Sequence, residues 1–315
     1  MKQQIYSYIL MFLSIFIVLI FCEVFLIIKN NNMKNYDIEM WKYAKELKVK
    51  SNNSKLGHEH VPNKEAVLQS VNIRTNSFGL RGNEVRDLSQ LDRRVLFLGS
   101  SVTLGWGVEE KRTMTEILNK KLGSRIEVLN AGIGNYNTVR YIEGFLTKLT
   151  LLDPSDIIIQ YFVNDVETLN PGGGNWFLRN SQLAVTIWIV FNRFFNENSE
   201  KSLVKYYKSL YQKDKEGFFE MIQSIKKLKK YSYENGINLY FVMTPNVHDL
   251  VDYKFEFIHE IMSQEIKKLE INYIDLLPAF KNLKNPLDLW AMPGDPHPNA
   301  LGHELMANYL YKKIF

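Results

Sequence analysis

Strand and helix patterns alternate from Arg93 onward behind one long apolar N-terminal run, which predicts an α/β protein. Two observations carry this expectation. Apolar runs of strand length recur with helix-periodic stretches between them, as a central parallel sheet covered on both faces requires. The N-terminal run is long enough to cross a bilayer and is set apart by a polar segment, so one transmembrane helix precedes the domain. The 315 residues, 46% hydrophobic and 23% charged, suffice for one such domain and an accessory segment.

The anchor comes first. Ile9 to Ile28 reads ILMFLSIFIVLIFCEVFLII, with Glu23 as its single charge. At ~1.5 Å per residue it reaches about 30 Å, the thickness of the hydrocarbon core. A cleaved signal peptide would have a shorter apolar stretch and a small-residue cleavage site, so residues 1–28, with their core at 9–28, read as a retained single-pass anchor. Glu23 lies near one end, where it can reach the interface or be protonated. Cys22 is the one cysteine, which rules out an intramolecular disulfide and a thiolate metal cage; bulky Phe21 before it argues against a lipoprotein site. Lys29, Lys34, Lys42, Lys45 and Lys48 follow the span and only Lys2 precedes it, so counting charges alone leaves the domain in the cytoplasm.

Residues 29–92 form a polar, Asn- and Lys-rich spacer and lead-in segment with a short amphipathic stretch from Trp41 to Leu47. Residues 93–315 form the catalytic-domain candidate. Strands are expected at Val95–Leu98, Ile126–Leu129, Asp156–Phe162, Asn238–Met243 and Asn272–Leu276. Helices are expected at Thr113–Leu122, Val139–Leu151, Phe218–Tyr233, Phe255–Leu269 and Ala300–Ile314. Leu178 to Phe195 breaks the alternation; its apolar run is too short to span a bilayer and reads as a buried or lid helix, a membrane-surface helix being the other reading. The +5 net charge sits largely in Lys runs such as Lys226, Lys227, Lys229 and Lys230. These read as a solvated helix face, and no aromatic residues interleave with them, so no nucleic-acid partner is expected.

Four motifs stand at strand ends or the last helix start, where open α/β sheets gather functional groups. VLFLGSSVTLGWG ends a strand at Gly99 and places Ser100, Ser101 and Thr103 at a helix start, which offers a nucleophile, a helix cap or a phosphate cradle. The loop lacks a P-loop ending, and the second strand ends in Asn130 where a ribose would need a carboxylate. VLNAGIGNYNT supplies Gly132, Gly134 and Asn135, a turn able to expose backbone N–H groups. QYFVNDVETLN runs a strand into Asn164 and Asp165. MPGDPHPNALGH holds Asp295 and His297 in a proline-flanked turn before the last helix. A hydroxyl, backbone donors, an amide and an imidazole with a carboxylate are what acyl transfer needs. A metal reading rests on His58-Glu59-His60, which has no matched third ligand.

With these blocks in this order, the chain resembles the SGNH hydrolases, or GDSL esterases and lipases, over about 220 residues from Arg93. The resemblance implies a flavodoxin-like three-layer α/β/α fold. The family pattern G-D-S-x-T-x-G matches Gly99 to Gly105, which makes Ser101 the nucleophile, with Ser100 in place of the usual Asp. It implies His297 as base and Asp295 as its orienting acid, although D-x-x-H is here one residue shorter. The implied oxyanion hole takes the Ser101 amide, Asn164 and a backbone N–H of Gly134 or Asn135. No cofactor and no metal are implied. The expected activity is ester hydrolysis, on an acylated polysaccharide or a lipid-linked envelope glycan, with the domain outside the cytoplasm. An O-acyltransferase using the same serine, and a catalytically silent binding domain, are the alternatives.

Overall fold

The computed structural model describes residues 2–31, 35–169, 176–195, 200–248, 250–281, 283, 285–292 and 295–315. Helix α1 (Lys2–Asn30) carries the apolar run, none of whose membrane-spanning window is buried against the rest of the protein. Helix α2 (Tyr36–Glu46) follows, its first turn capped by the Asn35 side chain, which accepts from the Asp37 and Ile38 N–H groups. Two antiparallel hairpins come next: β1 (Lys48–Lys50) with β2 (His58–His60), and β3 (Glu65–Leu68) with β4 (Val71–Arg74).

The polar stretch after the anchor is therefore folded. Alternation in Glu65–Leu68 buries Ala66 and Leu68, and the helical period of α2 buries Tyr43. With Leu47, Ile73, Leu104 and Trp106 these residues form a small separate core. It sits beside the chain that follows β5.

Strands β5 (Arg93–Gly99), β6 (Ile126–Gly132), β7 (Asp156–Phe162), β8 (Asn238–Thr244) and β9 (Asn272–Asp275) form one parallel sheet in the order β6-β5-β7-β8-β9. The helices are α3 (Ser101–Leu104), α4 (Met114–Leu122), α5 (Thr138–Gly144), α6 (Trp176–Asn180), α7 (Gln182–Phe195), α8 (Glu200–Leu210), α9 (Glu216–Glu234), α10 (Glu256–Lys268) and α11 (Ala300–Ile314). The period-two alternation of β5 sorts the layers. Leu96 and Leu98 pack with Ile142 of α5, Ile225 of α9 and Met262 of α10, while Val95 and Phe97 pack with Leu118 of α4 and Met306 of α11. This is the expected three-layer α/β/α arrangement. Because β6 and β7 flank β5 on opposite sides, the chain reverses direction across the sheet at β5, and a crevice opens at its C-terminal end.

Two stretches differ from expectation. The helix expected over Val139–Leu151 is α-helical only to Gly144, then runs as a π turn over Phe145–Leu149 and a 3-10 turn over Thr150–Leu152. It stops at Asp153, in a left-handed conformation, before Pro154, which cannot extend a helix. Helix α7 is not a buried helix: it exposes Ile187, Trp188, Val190 and Phe191, which leaves the lid and membrane-surface readings. Its N-terminus is held by Glu23 of α1, whose carboxylate accepts from the Ser181 hydroxyl at 2.7 Å and the Gln182 and Leu183 N–H groups at 2.7 and 2.9 Å. The one charge inside the apolar run thus caps the neighbouring helix.

Candidate active site

Ser101 opens α3 two residues beyond the buried end of β5. The approach of α3 to the sheet depends on glycine: a Cβ on Gly132 would stand 2.1 Å from the Leu104 nitrogen. The Ser101 Oγ lies 2.7 Å from His297 Nε2. His297 sits in β11 (Asp295–Pro298), which pairs antiparallel with β10 (Trp290–Met292) and leads into α11, capped by the Asn299 side chain. Asp295 opens β11, but its carboxyl lies outside the described part of the structure. Tyr36, the first residue of α2, stacks on the His297 ring at 6.1 Å between centroids and 23° between planes. The other histidine of that motif is structural: buried His303 Nδ1 accepts from the Met114 N–H at 3.0 Å, and burial pushes its pKa down to about 3.

Register puts the remaining motifs at the same edge. Gly99 pairs with Gly132 of β6 and with Gln160 of β7, so the Gly134–Asn135 turn and Asn164 follow neighbouring strands on either side of Ser101. The two turn residues differ in their bonding. Gly134 N–H donates to the Tyr43 hydroxyl at 2.8 Å, that hydroxyl lies 2.6 Å from His60 Nε2, and His60 Nδ1 lies 3.0 Å from the Gly79 carbonyl. A neutral His60 closes this relay with every donor matched: Gly134 N–H to Tyr43, Tyr43 O–H to Nε2, Nδ1–H to Gly79. Burial pushes the His60 pKa down to about 3 and so keeps the ring neutral. His58 Nε2 donates to the Gly134 carbonyl at 3.0 Å and is likewise pushed to about 3, by burial and then by the Lys48 charge. Both histidines of the His58-Glu59-His60 run therefore brace this turn.

Asn135 takes the left-handed conformation, φ 63°, that asparagine tolerates. Its N–H, like that of Ser101, donates to no group among the described residues. Lys48 donates to its Oδ1 at 3.0 Å. Asn164 is exposed, and its side chain is likewise unbonded among the described residues, while its carbonyl accepts from the Glu167 N–H. Next to it, Asp165 is buried and accepts from the Phe162 N–H at 3.0 Å. Burial pushes the Asp165 carboxyl up to about 8, outweighing the bond from Phe162 and the neighbouring Ser100 hydroxyl, both of which pull it down. Among the described residues no group of His, Cys, Asp or Glu side chains is arranged to hold a metal.

Tyr36, Tyr43 and Lys48 of this site fall in the stretch read from sequence as a spacer. Their only signal there was the amphipathic pattern around Trp41–Leu47 and the paired histidines, neither of which names a partner.

Residues 97–305 match the model of the GDSL-like Lipase/Acylhydrolase family. No curated protein matches the chain. Among solved structures it is similar to the psychrotrophic esterase EstA from Pseudoalteromonas sp., at 15% identity over 71% of this chain and 97% of that one, TM-score 0.44. It is also similar to a catalytic mutant of the acetylxylan esterase Axe2 from Geobacillus stearothermophilus, at 16% identity over 71% of this chain and 95% of that one, TM-score 0.46.

Proposed function

This chain belongs to the GDSL-like lipase/acylhydrolase family and is a serine ester hydrolase, and on that premise we propose that Ser101 is its nucleophile and His297 its general base. The observation that carries this reading is the 2.7 Å contact between Ser101 Oγ and His297 Nε2 at the C-terminal end of β5. In the first half-reaction His297 takes the Ser101 proton as Oγ attacks the ester carbonyl. The N–H groups of Ser101 and Asn135, unbonded among the described residues, and the Asn164 amide hold the oxyanion; Gly134, already bonded to Tyr43, supports the turn rather than donating. His297 then gives the proton to the departing alkoxide. In the second half-reaction water, deprotonated by His297, attacks the acyl-serine; the acyl–Oγ bond breaks, His297 returns the proton to Ser101 Oγ, and the carboxylic acid leaves. Asp295, two residues before His297, is the proposed partner that orients its ring.

We place the domain outside the cytoplasm and take its substrate to be an acyl ester on an envelope glycan or lipid-linked glycan. Tyr36, six residues beyond the end of α1, stacks on the base, so the site stands close to where the chain leaves the membrane. A sugar hydroxyl in place of water would make the same acyl-serine a transferase intermediate.

The test is fluorophosphonate labelling of the full-length protein in detergent, beside Ser101→Ala and His297→Ala, with p-nitrophenyl acetate turnover read in parallel. The expectation is labelling that vanishes in Ser101→Ala and turnover about 10³-fold lower in either variant. A folded wild-type protein that neither labels nor turns over would sink the serine assignment and favour a silent binding domain.

A further inference from the structure

Between α2, β1 and α7 lies a cavity of about 840 Å³ whose lining combines cations with apolar side chains. Its cations are Lys45, Lys48, Lys50, Arg140 and Arg179, and Asp37 is the only carboxylate among the lining residues. Its apolar lining includes Met40, Trp41, Val185, Trp188 and Ile189, with the Lys45 ammonium 5.0 Å from the Trp41 ring centroid. Among the described residues, Lys48, Lys50 and Arg179 have no carboxylate partner. Lys48 lies 4.0 Å over the Tyr43 ring and donates to Asn135, which also lines the cavity. Burial, and then the Arg140 charge, hold the Lys48 ammonium well below its usual range, a penalty that a bound anion would relieve.

The position of the cavity is fixed by α1. Glu23 caps α7, the Asn30 amide donates to the Gln182 side chain at 2.8 Å, and the Trp41 indole donates to the Leu178 carbonyl at 2.5 Å. Glu23 and Asn30 are separated by about 10 Å of helix, so α7 starts beside the last two turns of the membrane helix. Ile187, Val190 and Phe191 leave α7 exposed on its apolar side, at a length too short to cross a bilayer. An interfacial helix that presents apolar side chains to acyl tails and cations to headgroups has this composition.

We infer that this cavity is a headgroup site for an anionic, phosphate-bearing membrane lipid, with the lipid's chains running along the exposed apolar side of α7 next to α1. Charge complementarity and continuity with the membrane helix point to a lipid rather than a soluble anion. Because Asn135 lines the cavity and also offers its N–H at the catalytic edge, an ester borne by such a lipid would be presented to Ser101; this last step rests on the serine mechanism proposed above.

The experiment uses full-length Ser101→Ala protein, delipidated in detergent, so that binding is read without turnover and independently of whether Ser101 is the nucleophile. Native mass spectrometry would compare retention of phosphatidylglycerol with that of phosphatidylcholine of the same chains, with and without inorganic phosphate, and in a Lys48→Gln/Arg179→Gln background. The expected result is about tenfold preference for phosphatidylglycerol, lost in the double variant and insensitive to millimolar phosphate. Equal retention of the two lipids would overturn the proposal, and that comparison needs no charge variant to fold. Displacement by inorganic phosphate would also overturn it, in favour of a site for a free anion. If labelling of Ser101 failed but the lipid preference held, the serine mechanism would fall and the lipid site would stand.

Discussion

Asp165 shows how one buried group sets a pH dependence. Its pKa near 8 in the folded protein lies well above the ~3.9 of an unfolded aspartate. The folded state therefore keeps a proton that the unfolded chain has already lost at neutral pH. Its stability contribution is full below about pH 4, declines as pH rises, and is gone above about pH 8. Asp165→Asn stays neutral and can still accept from the Phe162 N–H. Its melting temperature should exceed that of wild type by about 5 °C at pH 8.5, with little difference at pH 4.5. A gap that does not widen with pH would mean the carboxyl is ionised in the folded protein. At this scale the Ser101 and His297 pair was legible, because each sits in a short motif at a strand or helix end. The difference in bonding between Gly134 and Asn135 was not: Tyr43, 91 positions away in sequence, takes the Gly134 N–H.

Among elements, α2 and the two hairpins carry the least sequence signal and have a large share in the site. The five sheet strands and the helices around them announce themselves by sustained apolar periodicity. The hairpins do not, since strands of three or four residues are too short to separate from loop. Yet buried Tyr43, Leu47, Leu68 and Ile73 pack against Leu104 and Trp106, the chain leading out of α3. A chain beginning at Arg93 should lose cooperative melting and fluorophosphonate labelling, because it uncovers that core and removes the Tyr43 relay. A chain beginning at Asn35 should keep both. Labelling by the shorter chain would show that α2 only decorates the site.

For the whole molecule the question is how the domain meets the membrane. A carboxylate inside an apolar helix is costly unless satisfied, and Glu23 is satisfied by three donors at the start of α7. Glu23→Ala leaves two backbone N–H groups and a hydroxyl without their acceptor, a loss of about 1–3 kcal/mol at the junction. Limited proteolysis of the full-length protein in nanodiscs should then cleave within Leu178–Asn192 about tenfold faster than in wild type. Unchanged cleavage would mean that apolar contacts alone seat α7.

By itself, the sequence determined the α/β class, the membrane-length helix and the strand-end placement of the serine, the amide and the histidine motif. Each of these is written in local periodicity or a short motif, where one stretch of chain meets its own neighbours. Tertiary structure alone decided that the polar segment after the anchor folds onto the C-terminal edge of the sheet, that Tyr43 takes the Gly134 N–H, and that Glu23 caps α7. These depend on hydrogen bonds between residues about 90 to 160 positions apart. No local pattern encodes such a bond, because its donor and acceptor become neighbours only after the sheet has brought their elements together.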